Sequence, residues 1–216
     1  MKVAPSIIAA DFSRYQEELQ YIKKAGADLV HLDIMDGVFV PNLTFGPMIV
    51  EAIKQVTDLT IWSHLMIVQP EKYLKEYIAA GSDWISFHLE ATDRVEQCLM
   101  YCRQQGIQTG LSINPGTSFK KVQNYMPKMD VLLIMTVNPG FYGQKFMEEV
   151  VPKIDEAKRY IDKHHLACAI AVDGGVSKDN ACRLSAAGVE IVVAGASVFR
   201  TPDYAQAIRE LRCSKV

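Results

Sequence analysis

The sequence predicts an α/β protein, a (β/α)8 TIM barrel, and three observations carry that prediction. Short β-branched runs recur along the chain, segments of helical period separate most of them, and polar residues gather at the C-terminal ends of several runs.

The runs lie at 3–8, 29–35, 60–66, 84–88, 109–113, 131–136, 168–173 and 190–194, which gives eight strands. Most are continuously apolar, the pattern of strands buried on both faces of a parallel sheet. Among the intervening segments, 12–25 carries Phe12, Tyr15, Leu19 and Ile22 at three- or four-residue steps, and 95–105 carries Val95, Leu99 and Cys102. Both read as surface helices. The junctions AGAD, AAGSD and AAGVE, beginning at Ala25, Ala79 and Ala186, place a glycine where a helix must end and a strand begin. A doubly wound open sheet is the alternative. It is disfavoured because no GxGxxG follows the first run and the polar residues are spread over many strand ends.

No linker, low-complexity stretch or composition shift divides the chain, so residues 1–216 are expected to form one catalytic barrel domain. With 49% hydrophobic and 22% charged residues, global disorder is excluded. The net charge of −2, with no basic block longer than Lys120–Lys121, argues against nucleic-acid binding. No apolar stretch approaches the roughly eighteen residues of a membrane helix, and MKVAPSIIAADF does not read as a secretory signal. A cytoplasmic protein without a membrane partner is expected. The five cysteines are odd in number and form no CxxC pair, so they are read as reduced packing thiols. A metal pair at Cys98 and Cys102 is the sharper alternative, and it lacks two further ligands nearby.

Period-two alternation puts His31, Asp33 and Met35 on the inner face of strand two, and His64 and Met66 on that of strand three. Strand four ends at His88, and strand seven ends at Asp173 before Gly174 and Gly175. His31, Asp33, His64 and Asp173 could together surround one divalent ion with a mixed nitrogen and oxygen set, borderline between zinc, iron, cobalt and manganese. Any one of these histidines alone reads better as a hydrogen-bonded core residue; the four together favour a site. On composition alone, Met35, Met66 and Met135 read as core filler. Glycines cluster after strands six to eight, in Asn138–Gly143 with Gly140, Phe141, Tyr142 and Gly143, in Gly174–Gly175, and in Gly195, Ala196, Ser197. Backbone amides freed there would cradle a phosphate without lysine.

APSIIAADF at 4–12, HLDIMDGVFVPNLTFGP at 31–47, HLMI at 64–67, FHLEAT at 87–92, NPGT at 114–117, MTVNPGFYGQKF at 135–146 and VDGGV at 172–176 span nearly the whole chain. Together they resemble the ribulose-phosphate 3-epimerase family. The resemblance implies a barrel of the ribulose-phosphate-binding type that inverts C3 of a ketose phosphate with one divalent metal ion (Zn, Fe, Co or Mn). It implies His31, Asp33, His64 and Asp173 as ligands and Asp33 and Asp173 as the two acid/base residues. Substrate contacts are implied for Ser6 and His64, and Met35, Met66 and Met135 would cap the site. The phosphate would lie against Gly140, Phe141, Tyr142, Gly143, Gly174, Gly175, Gly195, Ala196 and Ser197.

D-ribulose 5-phosphate and D-xylulose 5-phosphate are the expected pair, with D-allulose 6-phosphate as the alternative and a non-catalytic phosphate-binding barrel as a distant one. A homo-oligomer is expected. Decarboxylases of related barrels would want a DxKxxD constellation, and Schiff-base aldolases a strand lysine; neither is present at the strand ends. The sequence departs from the family pattern at Trp62 and Ala171, where acids are usual, at Tyr142, where a small residue is usual, and at Ala196, where serine is usual. Trp62 and Ala171 should face each other in one interior layer and form an apolar floor below the metal.

Overall fold

The computed structural model describes residues 1–213. Its strands are β1 (Lys2–Pro5), β2 (Leu29–Met35), β3 (Thr60–Met66), β4 (Trp84–His88), β5 (Gln108–Ile113), β6 (Val131–Met135), β7 (Ala169–Asp173) and β8 (Ile191–Ala194). All neighbours pair in parallel in the order β1-β8-β7-β6-β5-β4-β3-β2, and a parallel bridge between Ser6 and His31 joins β1 to β2. This is the (β/α)8 barrel expected from the sequence.

The helices are α1 (Tyr15–Lys24), α2 (Pro47–Val56), α3 (Leu74–Ala79), α4 (Val95–Gln104), α5 (Val151–His164), α6 (Lys178–Ala186), α7 (Ala196–Phe199) and α8 (Tyr204–Leu211). The helix expected from residue 12 begins with a 3-10 turn at Phe12–Arg14, because Asp11 accepts from the Ser13 amide and caps that turn before α1 starts. Between β5 and β6 the α-helix implied by strict alternation is replaced by 3-10 segments, Phe119–Lys121 and Gln123–Lys128. Pro127 lies inside the second, and it cannot donate an amide to a regular α-helical ladder. Among the described residues no helix is long and apolar enough to cross a membrane.

Burial divides along the strand period. The residues Leu32 and Ile34 of β2, Ile61 and Leu65 of β3, Ile85 and Phe87 of β4, and Leu132 and Ile134 of β6 join the layer packed under the helices. The alternate residues point inward, and Leu29, Trp62, Val131, Leu133, Ala171, Ile191 and Val193 fill the lower barrel. At that lower end an aspartate precedes β2, β4 and β6. Asp28, Asp83 and Asp130 accept the amides of Val3, Ile61 and Thr109 at 2.8, 2.9 and 2.8 Å, while their own amides return to the carbonyls of the same three residues. Each reciprocal pair sets the stagger of one strand against its neighbour, so the inward and outward faces stay in phase.

Trp62 is completely buried. Its Nε1 donates to Ser86 Oγ at 3.0 Å, and its ring meets His31 edge-on at 4.7 Å between centroids. Trp62 and Ala171 belong to the same buried cluster below the polar residues of the barrel mouth.

The cysteines require a correction. Cys182 and Cys213 form a disulfide, whereas Cys98, Cys102 and Cys168 are free and buried. The bridge joins α6 to the residues just after α8, two helices that pack side by side outside the barrel and bring the two Cα atoms within 5.0 Å. That proximity arises from tertiary packing across 31 residues and is invisible to spacing rules. Burial pushes the Cys98 and Cys102 thiols up to about 12 and about 11, as suits packing groups.

Replacing Ala171 with Glu would place a carboxyl in this sealed layer with no partner. We expect Ala171→Glu to lower unfolding free energy by roughly 3–5 kcal/mol in urea denaturation. A variant as stable as the parent would contradict the sealed-floor account.

Candidate active site at the barrel mouth

Four interior side chains converge above Trp62. β2 supplies His31 and Asp33, β3 supplies His64 directly across from Asp33 in the strand register, and β7 supplies Asp173. One ligand atom from each lies within 4.8 Å of the others. His31 Nε2 is 3.5 Å from Asp33 Oδ1 and 3.7 Å from Asp173 Oδ2, and His64 Nδ1 is 3.5 and 3.6 Å from the same two oxygens. Both nitrogens are buried without a hydrogen-bond partner.

Contacts of that length are too long for good hydrogen bonds. They match the edge of about 3.4 Å that separates tetrahedral ligands each about 2.1 Å from one ion. The donor set, two imidazoles and two carboxylates, therefore fits a divalent metal.

The two carboxylates are unequal. Burial works against ionisation of Asp33, but His31 and His64 outweigh it and hold its carboxyl below the usual range. Burial, and then the charge of Asp33, push Asp173 upward. His64 is raised because the two carboxylates overcome the cost of burying its charge. The two carboxyls are thus displaced in opposite directions without metal.

Neighbouring groups hold both arms. Ser6 Oγ donates to Asp33 Oδ2, and Thr44 Oγ1 donates to the Asp33 carbonyl while accepting the Met35 amide at 2.9 Å. The Thr136 amide and hydroxyl both donate to the Asp173 carbonyl, at 2.8 and 2.9 Å. In the long β2–α2 connection, Asp36 accepts the amides of Val38, Phe39 and Val68, and Asn42 Nδ2 donates to the Gly140 carbonyl at 2.8 Å. The residues of DGVFVPN therefore tie three loops together around the mouth.

A cleft of about 450 Å³ opens beside the four-residue centre. Its walls include Ser6, Asp33, Asp173, the three methionines Met35, Met66 and Met135, and all the glycine-loop residues singled out from the sequence, namely Gly140, Phe141, Tyr142, Gly143, Gly174, Gly175, Gly195, Ala196 and Ser197. His31 and His64 lie buried behind this surface. Gly175 has φ +64°, and a Cβ there would come within 2.3 Å of the Phe146 amide nitrogen, so the loop requires glycine. Among the described residues, no acceptor takes the amides of Gly143, Gly175, Gly195 or Ala196.

Ser197 does not offer a free hydroxyl: it donates to the Val176 carbonyl and braces the β7 loop against the β8 loop. Tyr142 accepts from Arg200 at 3.1 Å, with the guanidinium 5.1 Å over its ring.

The sequence reading did not name Lys145, Asn180 or Phe146 as part of the wall. Lys145 and Phe146 fall within the MTVNPGFYGQKF segment, which was the available signal.

Fold and site together define a (β/α)8 barrel with a paired-carboxylate centre at its mouth. The model of the Ribulose-phosphate 3 epimerase family matches residues 2–199, and the chain belongs to that family. It is 44% identical over 216 residues to the ribulose-phosphate 3-epimerase of Bacillus subtilis (strain 168), covering 100% of both chains. It is 46% identical over 215 residues to the ribulose-phosphate 3-epimerase of Synechocystis sp., covering 99% of this chain and 94% of that one. A solved 3-hexulose-6-phosphate synthase superposes with a TM-score of 0.72 at 18% identity, over 98% of each chain, and shares the fold. The chain is a carbohydrate epimerase.

Titrating the metal-free protein with Zn²⁺, Mn²⁺, Co²⁺ or Fe²⁺ should show one ion per chain and a rise in melting temperature. At a hundredfold excess over Kd the stabilisation should reach about 2.7 kcal/mol. His31→Ala should abolish the saturable response. Equal responses in parent and variant would separate ion binding from this centre.

Proposed function

We propose that the chain interconverts D-ribulose 5-phosphate and D-xylulose 5-phosphate by two-base proton transfer, with residues 1–216 acting as one catalytic domain. The observation that carries this reading is the convergence of Asp33 and Asp173 on one centre from strands on different sides of the barrel mouth.

The C3 proton of the substrate is acidic because it lies α to the C2 ketone. Inversion needs one group to remove it from one face and another to return a proton to the opposite face. Two carboxylates of unequal proton affinity can do both, with roles exchanged for the reverse reaction. His31, Asp33, His64 and Asp173 would hold a divalent ion, which would supply Lewis acidity for the negative charge that develops on the substrate. The Ser6 hydroxyl orients Asp33, and the Thr136 contacts fix the backbone of Asp173. Met35, Met66 and Met135 cover the reacting carbons with apolar, non-nucleophilic side chains and limit access of water.

The phosphate is assigned to the free amides of Gly143, Gly175, Gly195 and Ala196, which line the same cleft. Ala196 in place of serine leaves such a cradle intact, because the backbone supplies the donors.

Assay of both D-ribulose 5-phosphate and D-allulose 6-phosphate tests the substrate reading. We expect kcat/KM to favour the five-carbon substrate, and preference for the six-carbon sugar would replace it. Asp33→Asn and Asp173→Asn should each lower kcat by at least about 10²–10⁴ with the fold retained by circular dichroism. Near-parental turnover in either variant would contradict the two-base assignment.

A further inference from the structure

We propose that Tyr142 and Arg200 form a latch that holds the Gly143 amide in place relative to those of Gly195 and Ala196, so that a phosphate is gripped from the β6 and β8 sides of the cleft at once. This inference rests on the phosphate reading of that cleft.

The four amides of the cradle stand on two units. One is the β8 loop with the helical turn that follows it. The Val198 and Phe199 amides donate to the Gly195 carbonyl at 2.9 and 3.0 Å, and the Arg200 amide donates to the Ala196 carbonyl at 3.2 Å. Gly195, Ala196 and Arg200 are therefore tied into one piece. Ser197 joins that piece to the Val176 carbonyl, and Asn180 Nδ2 donates to the Gly175 carbonyl at 3.0 Å. Three of the amides, those of Gly175, Gly195 and Ala196, are thus braced together.

The fourth belongs to Gly143, at the tip of the β6 loop. The Met147 amide closes the base of this loop on the Thr136 carbonyl at 2.9 Å. Gln144 Nε2 folds its turn by donating to the carbonyls of Asn138 and Phe141 at 2.7 and 2.8 Å, and Asn42 holds the Gly140 carbonyl. None of these bonds reaches the β8 side. Among the described residues, the one hydrogen bond that crosses from residues 141–143 to the β8 side runs from Arg200 to the Tyr142 hydroxyl at 3.1 Å, with the guanidinium 5.1 Å over the Tyr142 ring. Tyr142 directly precedes Gly143, so a hold on its side chain is a hold on the tip.

Side-chain hydroxyls of the β8 loop offer no substitute. Ala196 has none, and that of Ser197 is committed to Val176. A cradle built from backbone amides gains affinity from how well its donors are placed before the ligand arrives. Arginine suits this task, because one N–H of its planar fork can meet the hydroxyl while the cation stays over the ring.

The test titrates inorganic phosphate into ¹⁵N-labelled parent, Tyr142→Leu, Arg200→Met and the double variant at one fixed ionic strength, with amide shifts read by NMR and thermal unfolding measured alongside. In the parent, the amides of Gly143, Gly175, Gly195 and Ala196 should shift together with a single Kd. Each single variant should raise that Kd about 3–10-fold and shrink the Gly143 response, while Gly195 and Ala196 still shift at saturation. The double variant should bind no more than about twofold weaker than the weaker of the two singles, because either substitution alone opens the latch. Both side chains are exposed, so melting temperatures should stay within about 2 °C of the parent.

An unchanged phosphate Kd in the single variants, with or without a fall in melting temperature, would mark the contact as merely structural and overturn the latch. So would a silent Tyr142→Leu beside a weakened Arg200→Met, which is the signature of charge alone, or penalties that multiply in the double variant. Parent protein in which phosphate shifts none of the four amides would overturn the phosphate reading and the latch with it, whereas equal binding by parent and variants would overturn the latch alone.

Discussion

Two carboxylates and two imidazoles share a volume at the barrel mouth in which their ligand atoms lie within 4.8 Å of one another. Screening by water is limited there, because His31, Asp33 and His64 are buried and an indole closes the space below, although Asp33 and Asp173 also border the cleft. In such surroundings two adjacent carboxylate charges are strongly unfavourable unless a proton or a cation lies between them. The opposite displacements of Asp33 and Asp173 are one expression of this constraint, and the fit of the donor set to a divalent ion is the other. A barrel suits the task because the side chains come from different strands whose stagger is fixed by backbone pairing, as in the register that places His64 across from Asp33. Trp62 packs below this centre, and Met35, Met66 and Met135 line the cleft beside it.

The surrounding loops are held for the same end. Asp36 gathers three amides, Asn42 reaches the Gly140 carbonyl, and Ser197 braces the β7 loop against the β8 loop. The amides of Gly143, Gly175, Gly195 and Ala196 in these turns take no acceptor among the described residues, and their residues line the cleft. The Tyr142–Arg200 contact joins the β6 and β8 loops over this end of the cleft, at a position where a small residue was expected.

Much of this arrangement could be read before any coordinates. Alternation within LVHLDIM placed His31, Asp33 and Met35 inward because a strand in a closed barrel has only two faces, and continuous apolar runs marked strands covered by helices. The strand limits agree to within one or two residues, apart from the longer run expected for β1, which gives way to a 3-10 turn at Ile7–Ala9. What escaped the sequence depends on contacts between distant segments. The Cys182–Cys213 bridge needs α6 and α8 side by side, and the committed hydroxyl of Ser197 needs the β7 loop beside it. The missing α-helix between β5 and β6 is a local effect, with Pro127 in the sequence as its signal.

The central claim is that two carboxylates act on opposite faces of one carbon. Its most direct test is the reaction of D-ribulose 5-phosphate in D2O, with the C3 position of product and recovered substrate followed by NMR or mass spectrometry at low conversion. Two-base transfer predicts that each D-xylulose 5-phosphate formed carries deuterium at C3 from the first turnover, while recovered substrate remains protiated. Product that retains the original C3 proton would show that one group removes and returns it, and would contradict the assignment of Asp33 and Asp173 to separate faces.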